Sequence, residues 1–238
     1  MNECDVTMRI FEHSNRSDVL SVCDRYADSD DVILYPYRIN RGASRSWNEG
    51  IRDGYASGAD VVIVCNDDIL FSSGDVDKVA DRAIENRDVF LVTMAGWHSG
   101  FNVACPSHGY SCFAINPIAI ETVGYFDVNI FPAYLEDCDY SYRAVVLSGL
   151  QQTNVADTMV FHVGSYVIKN DEAISAQNAH THGLNFQYYD RKWGGINGQE
   201  VFMTPFNDKQ YDACIPEERM EAPYGEYDRT DFEEVVKI

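Results

Sequence analysis

The sequence predicts an α/β fold with a mostly parallel central sheet flanked by helices, and three observations carry that expectation. Short apolar runs rich in β-branched residues, such as 61–65, alternate with stretches of helical periodicity, such as 76–86. Strands joined by such crossovers run parallel. The apolar runs stop abruptly in polar clusters, Glu12-His13-Ser14-Asn15 and Asn66-Asp67-Asp68 among them, and in open α/β sheets ligands sit at the carboxyl ends of strands. Finally, 238 residues that are 45% hydrophobic suffice for one large domain or two small ones.

Taken in order, residues 6–12 predict a first strand, and Ser17 or Asp18 can cap a helix running to about Ala27. Asp30-Asp31 breaks that pattern and 32–37 give a second strand. Residues 40–51 turn from loop into a helix ending near Gly58. The run 61–65 is continuously apolar, as in a strand buried on both faces. Apolar residues at Val76, Val79, Ala80, Ala83 and Ile84 mark an amphipathic helix. A strand follows over 89–94, then Gly-, His-, Ser- and Pro-rich loop chemistry over 95–111. Residues 112–115 read as a strand, 117–123 as a short helix with Pro near its start, and 124–134 as irregular. Glu136-Asp137-Cys138-Asp139 opens a helix to about Ser148, closed by Gly149. One more strand, 158–162, delivers His162 at its end. Beyond Tyr166 the pattern fades, apart from the aromatic-basic stretch 188–195.

A formal charge of −20, from 38 acidic and 18 basic residues, sets the surface against nucleic acid and anionic membranes. It leaves room for an anionic small molecule in a cleft where a metal and a few arginines invert the field. Seven cysteines, at 4, 23, 65, 105, 112, 138 and 214, form no C-x-x-C pair, which points to reduced thiols in a cytoplasmic compartment and away from zinc. No signal peptide and no membrane-spanning run is expected.

Three polar groups fall at the predicted ends of elements. Two carboxylates closing a buried strand, Asp67 and Asp68, tolerate each other only beside water or a cation. They suit a divalent ion whose shell is completed by phosphate, or else a plain acidic turn. Glu136 and Asp137, at a helix start, read either as caps or as a proton-accepting carboxylate. Asp139 and Arg143 are spaced as a structural i,i+4 pair. His162 reads as a core histidine or as a metal or phosphate partner, and Arg191-Lys192 among aromatics as core or as an anion or sugar contact. No G-x-G-x-x-G, P-loop or G-x-S-x-G motif occurs.

These residues, in their order, resemble the GT-A glycosyltransferases of family 2, the non-processive, rhamnosyltransferase-like branch. The resemblance rests on Asn40-Arg41-Gly42, Asn48-Glu49-Gly50-Ile51, the strand ending in Asn66-Asp67-Asp68, Gly124-Tyr125-Phe126-Asp127, Glu136-Asp137-Cys138-Asp139 with Arg143, His162-Val163-Gly164-Ser165 and Lys192-Trp193-Gly194. It implies a GT-A catalytic domain over 1–204, with a nucleotide half of about 1–94 and an acceptor half of about 95–204. An acidic extension over 205–238 would follow. Since 39 residues precede Asn40, the strand-helix unit that the family carries ahead of its acidic nucleoside-contacting element is expected to be shortened or lost, an N-terminally shortened core in which Glu12 becomes the candidate for the base or ribose contact.

The resemblance further implies Mn2+ or Mg2+ held by Asp68 and His162. Glu12, Asn40, Arg45, Asn48, Asn66 and Asp67 would bind the donor nucleotide. Asp137 would be the catalytic base with Glu136 beside it, and Trp97, His98, Arg191, Lys192 and Trp193 would contact acceptor or phosphate. The partners are a nucleoside-diphosphate sugar and a hydroxyl on a glycan, protein or lipid-linked acceptor, and the compartment is the cytoplasm, or the host cytoplasm for a viral chain. A nucleotidyltransferase of similar fold and a non-catalytic sugar-binding module are the competing expectations.

Overall fold

A computed structural model describes residues 5–13, 16–98, 103–105, 107, 109–164 and 172–209. Strand β1 (Met8–Glu12) crosses through helix α1 (Ser17–Asp24) to β2 (Val32–Pro36), and the two strands pair in parallel from Met8↔Val32 to Glu12↔Pro36. Helix α2 (Ala43–Ala56) leads to β3 (Val62–Cys65); a tight turn gives β4 (Ile69–Phe71), then α3 (Asp75–Glu85) and the long β5 (Val89–His98). After β6 (Val103–Cys105), a 3-10 turn (Gly109–Ser111) enters β7 (Cys112–Ile115) and α4 (Pro117–Thr122). Helix α5 (Glu136–Ser141) continues as a π-helical segment, Tyr142–Leu147, before β8 (Gln151–His162), α6 (Glu172–Trp193) and a 3-10 turn, Pro205–Asp208.

Strands β3-β7-β5-β8-β4 form the main sheet in that order, with β6 paired to β5. The α/β class and the helix-flanked sheet agree with the sequence; the mostly parallel pairing does not. Among the described residues only β1/β2 and β5/β8 pair in parallel, while β3/β7, β5/β7, β5/β6 and β4/β8 are antiparallel. The crossover expected between β3 and β5 exists, but β7 inserts between them. Since β7 is antiparallel to both, β3, β5 and β8 still point the same way, so Cys65, His98 and His162 end on one edge of the sheet. The start of β7, at Ser111-Cys112, lies on that same edge.

Alternation along the buried strands divides the core into two layers. Leu91, Phe113 and Ile115 face α2, α4 and α5 with Ile51, Phe126 and Tyr140; Val92, Met94, Cys112 and Ala114 face α3 through Val79 and Ala83. Helix α2 lies close to both sheets because of its glycines. A Cβ on Gly50 would stand 3.2 Å from the Phe11 ring, and one on Gly54 only 2.6 Å from Val62 Cγ2. Helix α6, which no apolar periodicity announces, buries Thr181, Asn185, Tyr188, Tyr189, Lys192 and Trp193. These share one face at helical spacing, but half of them are polar. Residues 210–238, most of the expected acidic extension, lie outside the described set, as does Ser165 of the His-x-Gly-Ser motif.

Candidate active site

At the edge where β3, β5 and β8 end, the turn Asn66-Asp67-Asp68 is pinned from two sides. The Asn66 N–H donates to Ser111 O (2.9 Å) and the Val163 N–H to Asp68 O (3.0 Å). The antiparallel register Ile69↔His162 then brings Asp68 beside His162, with Oδ1 and Nε2 3.0 Å apart and side chains 21% and 11% exposed. Asp67 is exposed. On its other side His162 meets a residue that motif reading overlooked: Nδ1 lies 3.2 Å from Ser111 Oγ.

Asp68 and His162 fit a divalent cation. Adjacent ligands of an octahedral ion with bonds of about 2.1 Å stand about 3 Å apart, which matches the observed 3.0 Å. Ser111 Oγ and Asp68 Oδ1 flank the two ring nitrogens of His162, and a partner on the second nitrogen is what orients a metal-binding imidazole. Among the described residues no group of three or more His, Cys, Asp or Glu side chains gathers around one point. Among the described residues Asp68 and His162 are the ligands available there, and a shell completed by water and phosphate is common for Mg2+.

The second acidic motif opens α5. Tyr134 and Leu135 hold left-handed backbone (φ 74° and 81°), a conformation that bulky residues adopt only when their surroundings enforce it. Here Asn185 of α6 enforces it: its Nδ2 donates to Ala133 O (2.9 Å) and Tyr134 O (3.2 Å), and its Oδ1 accepts from the Phe131 N–H (3.2 Å). Glu136 emerges buried, 7% exposed, and its Oε2 has no hydrogen-bond partner. Burial, reinforced by the neighbouring Asp137 charge, pushes its carboxyl up to about 8. Asp137 is half-buried and accepts the Cys138 N–H at Oδ1 (2.8 Å).

One short turn touches both motifs. Ser111 holds Asn66 and His162, while the preceding Tyr110 places its hydroxyl 3.0 Å from Ser141 Oγ on α5, one turn past Asp137. Burial raises the Tyr110 phenol, and the Asp137 charge contributes in the same direction. The acidic turn near residue 67 and the helix start near residue 137 are thus tied to the dipeptide Tyr110-Ser111 from opposite sides.

Several expected contact residues prove to hold the scaffold. Lys192 Nζ bonds Asp127 Oδ2 (2.7 Å) and Asp139 Oδ1 (2.6 Å), Trp193 Nε1 donates to Asp139 Oδ1 (2.9 Å), and Arg143 Nε donates to Asp139 Oδ2 (2.9 Å). Arg143 also donates to Val123 O and Tyr125 O, at 2.9 Å each. Lys192 and Trp193 are fully buried; their polar atoms serve these carboxylates, which corrects the expectation that they contact acceptor or phosphate. Burial alone would raise Asp127; the Lys192 ammonium overrides it and holds the carboxyl below its usual range.

Asn48 is likewise a clamp. Its Nδ2 donates to Phe126 O and its Oδ1 accepts the Phe126 N–H, both at 2.9 Å, inside the core, so its amide is not available to a nucleotide. Asn40 Oδ1 caps the Gly42 N–H (2.9 Å). At Gly42 (φ +80°) a Cβ would stand 2.8 Å from the Phe131 ring, and the Ala43 N–H donates to Pro132 O (2.7 Å). The Asn-x-Gly turn therefore docks α2 on the loop that leads to α5.

The remaining candidates are dispersed. Glu12 (3% exposed) ends β1, and Arg45 (5%) sits in the first turn of α2. Near them His13, absent from the expected set, meets Ser46 Oγ at 2.9 Å; burial, with help from the Arg41 charge, pulls its imidazole down to about 4. Glu49 accepts from Arg41 (2.6 Å) and from the Tyr37 hydroxyl. Trp97 is half-buried opposite Phe161, and Arg191 is exposed on the last turn of α6. The His98 side chain lies outside the described set.

Comparison of the sequence finds no matching family model and no matching curated protein. Comparison of the structure finds the mannosyltransferase PcManGT from Pyrobaculum calidifontis in complex with GDP-Man and Mn2+, at 13% identity and a TM-score of 0.53. The match covers 82% of this chain and 56% of that one, so the chain spans little more than half of its neighbour's length. At such low identity the likeness shows a shared fold and nothing finer. Among the described residues no helix is long and apolar enough to cross a membrane.

Proposed function

We propose that the chain is a metal-dependent glycosyltransferase of the family 2 type. It moves a sugar from a nucleoside-diphosphate sugar to an acceptor hydroxyl, with inversion and with Asp137 as base. The observation that carries the reading is the double attachment of Tyr110-Ser111, to the Asp68–His162 pair and to the helix that begins at Glu136-Asp137. The neighbour of like fold binds a nucleotide sugar and Mn2+, which supports the same donor class and Mn2+ or Mg2+ here.

Asp68 and His162 hold the cation, which when bound supplies charge neutralisation for the departing diphosphate. Asp137 accepts the proton of the acceptor hydroxyl as that oxygen bonds to the anomeric carbon and the carbon–phosphate oxygen bond breaks. Glu136, raised to about 8, keeps its proton at neutral pH and so does not compete with Asp137 for the role; carboxylates whose environments push them apart divide acid and base work in this way. Glu12, Arg45 and the exposed Asp67 face the donor, and the nucleotide half runs to about residue 94. Trp97 and Arg191 serve the acceptor half. Free thiols at Cys23, Cys65, Cys105, Cys112 and Cys138 support a reducing, cytoplasmic setting.

The test is a thermal-shift panel of UDP-, GDP- and TDP-sugars with and without Mn2+, since a ligand that binds only the folded state raises the melting point. One donor should stabilise the chain in a Mn2+-dependent manner. Asp137→Asn should then keep that shift and lose transfer by at least about a hundredfold. Unimpaired transfer by Asp137→Asn would overturn the assignment, and pyrophosphate release from a nucleoside triphosphate would replace it with nucleotidyl transfer.

A further inference from the structure

Three aromatic rings stand in contact beside the start of α5. The Tyr134 and His182 ring centroids are 5.2 Å apart at 48°, and those of His182 and Phe186 are 4.7 Å apart at 52°. Phe186 is 37% exposed, and Tyr134 and His182 are half-buried. The three rings are thus in mutual contact, with Phe186 exposed and the other two partly so; together they are called the ledge below. An aromatic side chain left open on a long helix is not needed for the core, and this group is joined to the site through the backbone. Asn185, between His182 and Phe186, fixes the Ala133 and Tyr134 carbonyls and with them the left-handed residues that aim Glu136 and Asp137. The Tyr134 amide lies against the Glu136 carboxyl, whose Oε2 is buried and has no partner.

We infer that this ledge is the acceptor site and that the acceptor is a carbohydrate; the inference rests on the transferase reading of the same site. A pyranose presents an apolar C–H face, which packs on aromatic rings, and a rim of hydroxyls, which carboxyl groups bind. The rings adjoin Glu136 and Asp137, Tyr134 standing two residues before Glu136, so both kinds of group are near the start of α5. The tilt between successive rings suits a ring-shaped ligand better than an extended peptide, whose backbone would seek an open strand edge. Asp137, half-buried, receives the proton of the acceptor hydroxyl, with the buried Glu136 beside it.

Saturation-transfer NMR on the full chain, without donor, tests this with three probes. They are a set of methyl glycosides and disaccharides, a Ser/Thr-containing peptide, and a polyprenyl phosphate in detergent micelles. At least one glycoside should show saturation of its ring C–H protons, and Phe186→Ala and His182→Ala should each weaken its binding about tenfold, the scale of one lost aromatic contact. Melting temperatures should stay near that of the parent, because neither side chain is fully buried. In turnover the same variants should raise the acceptor KM more than they lower kcat. Saturation confined to the peptide or the lipid, or glycoside binding indifferent to both substitutions, would overturn the inference. Absence of any metal-dependent nucleotide-sugar binding would instead remove the transferase reading, while ring-dependent glycoside binding would still register.

Discussion

Two regions of the molecule pair carboxylates with nitrogen bases and use them in opposite ways. Beneath α5, Asp127 and Asp139 are buried with Lys192 and Arg143, all at 2% exposure or less, and their ion pairs lie between 2.6 and 2.9 Å. At the sheet edge, Asp68 and His162 stand 3.0 Å apart with side chains 21% and 11% exposed, and Ser111 Oγ lies 3.2 Å from the other ring nitrogen. Burial is what separates them. A buried charge whose bonds are filled fixes geometry and offers nothing to a ligand, whereas a partly exposed pair stays within reach of solvent and solutes. The closed cluster holds the helix that presents Glu136 and Asp137; the exposed pair is the one the proposed function assigns to the cation.

The sharpest break in that comparison is Lys192→Met. It leaves Asp127 without its cation and Asp139 with Arg143 and Trp193 only, and should destabilise the fold by about 3–5 kcal/mol in urea unfolding. A loss below about 1 kcal/mol would mean that the cluster is not the scaffold. Next in size is Asn48→Ala, which strands the Phe126 backbone N–H and C=O inside the core. About 2–3 kcal/mol is expected by the same measurement.

Glu136 distinguishes the two regions by pH. Its folded carboxyl is raised from 4.5 to about 8, so the folded state binds the extra proton between those values. The stability it contributes is present below about 4.5 and is lost as pH rises through about 8. Stability should therefore decline from pH 5 to 8.5 by on the order of 1–3 kcal/mol, and Glu136→Gln should flatten that slope. Asp127, held low beside Lys192, acts with the opposite sign: its contribution is present above the ordinary carboxylate range and lost only in strong acid. Denaturant midpoints across pH for both proteins check this.

Smaller still is Ser111→Ala, which should weaken Mn2+ binding about tenfold by calorimetry while Ser111→Thr restores it, the scale expected for a partner that orients a ligand. Smallest in stability is Asp68→Ala. A partly exposed pair contributes within about 1 kcal/mol, so this variant should melt near the parent and yet lose the Mn2+-dependent shift. A large drop in melting point would place Asp68 with the structural cluster instead.

Much of the scaffold was legible because it obeys periodicity. The apolar run before Asn66 and the stripe on α3 report their burial directly. Helix α6 escaped because Thr181, Asn185 and Lys192 lie on its buried face, so burial there follows hydrogen bonding and charge pairing instead of hydropathy. Strand β4 escaped because it is three residues long, and the first half of β8 because Gln151, Gln152 and Asn154 pair with β5 through the backbone. At the site, Asp68 and His162 could be chosen from their places at strand ends. Lys192, Trp193 and Asn48 stood out equally but proved saturated, which depends on partners far along the chain. Tyr110 and Ser111 gave no local sign at all, since their importance comes from the insertion of β7 between β3 and β5.

The central claim is that the acidic turn and the start of α5 serve one centre. Paramagnetic broadening by Mn2+ in an amide NMR spectrum tests it most directly. Substoichiometric Mn2+ should broaden Asp68 and His162 together with Asp137 and Cys138, and Asp68→Ala should abolish all of it. Broadening confined to the sheet edge, with α5 untouched, would contradict the account.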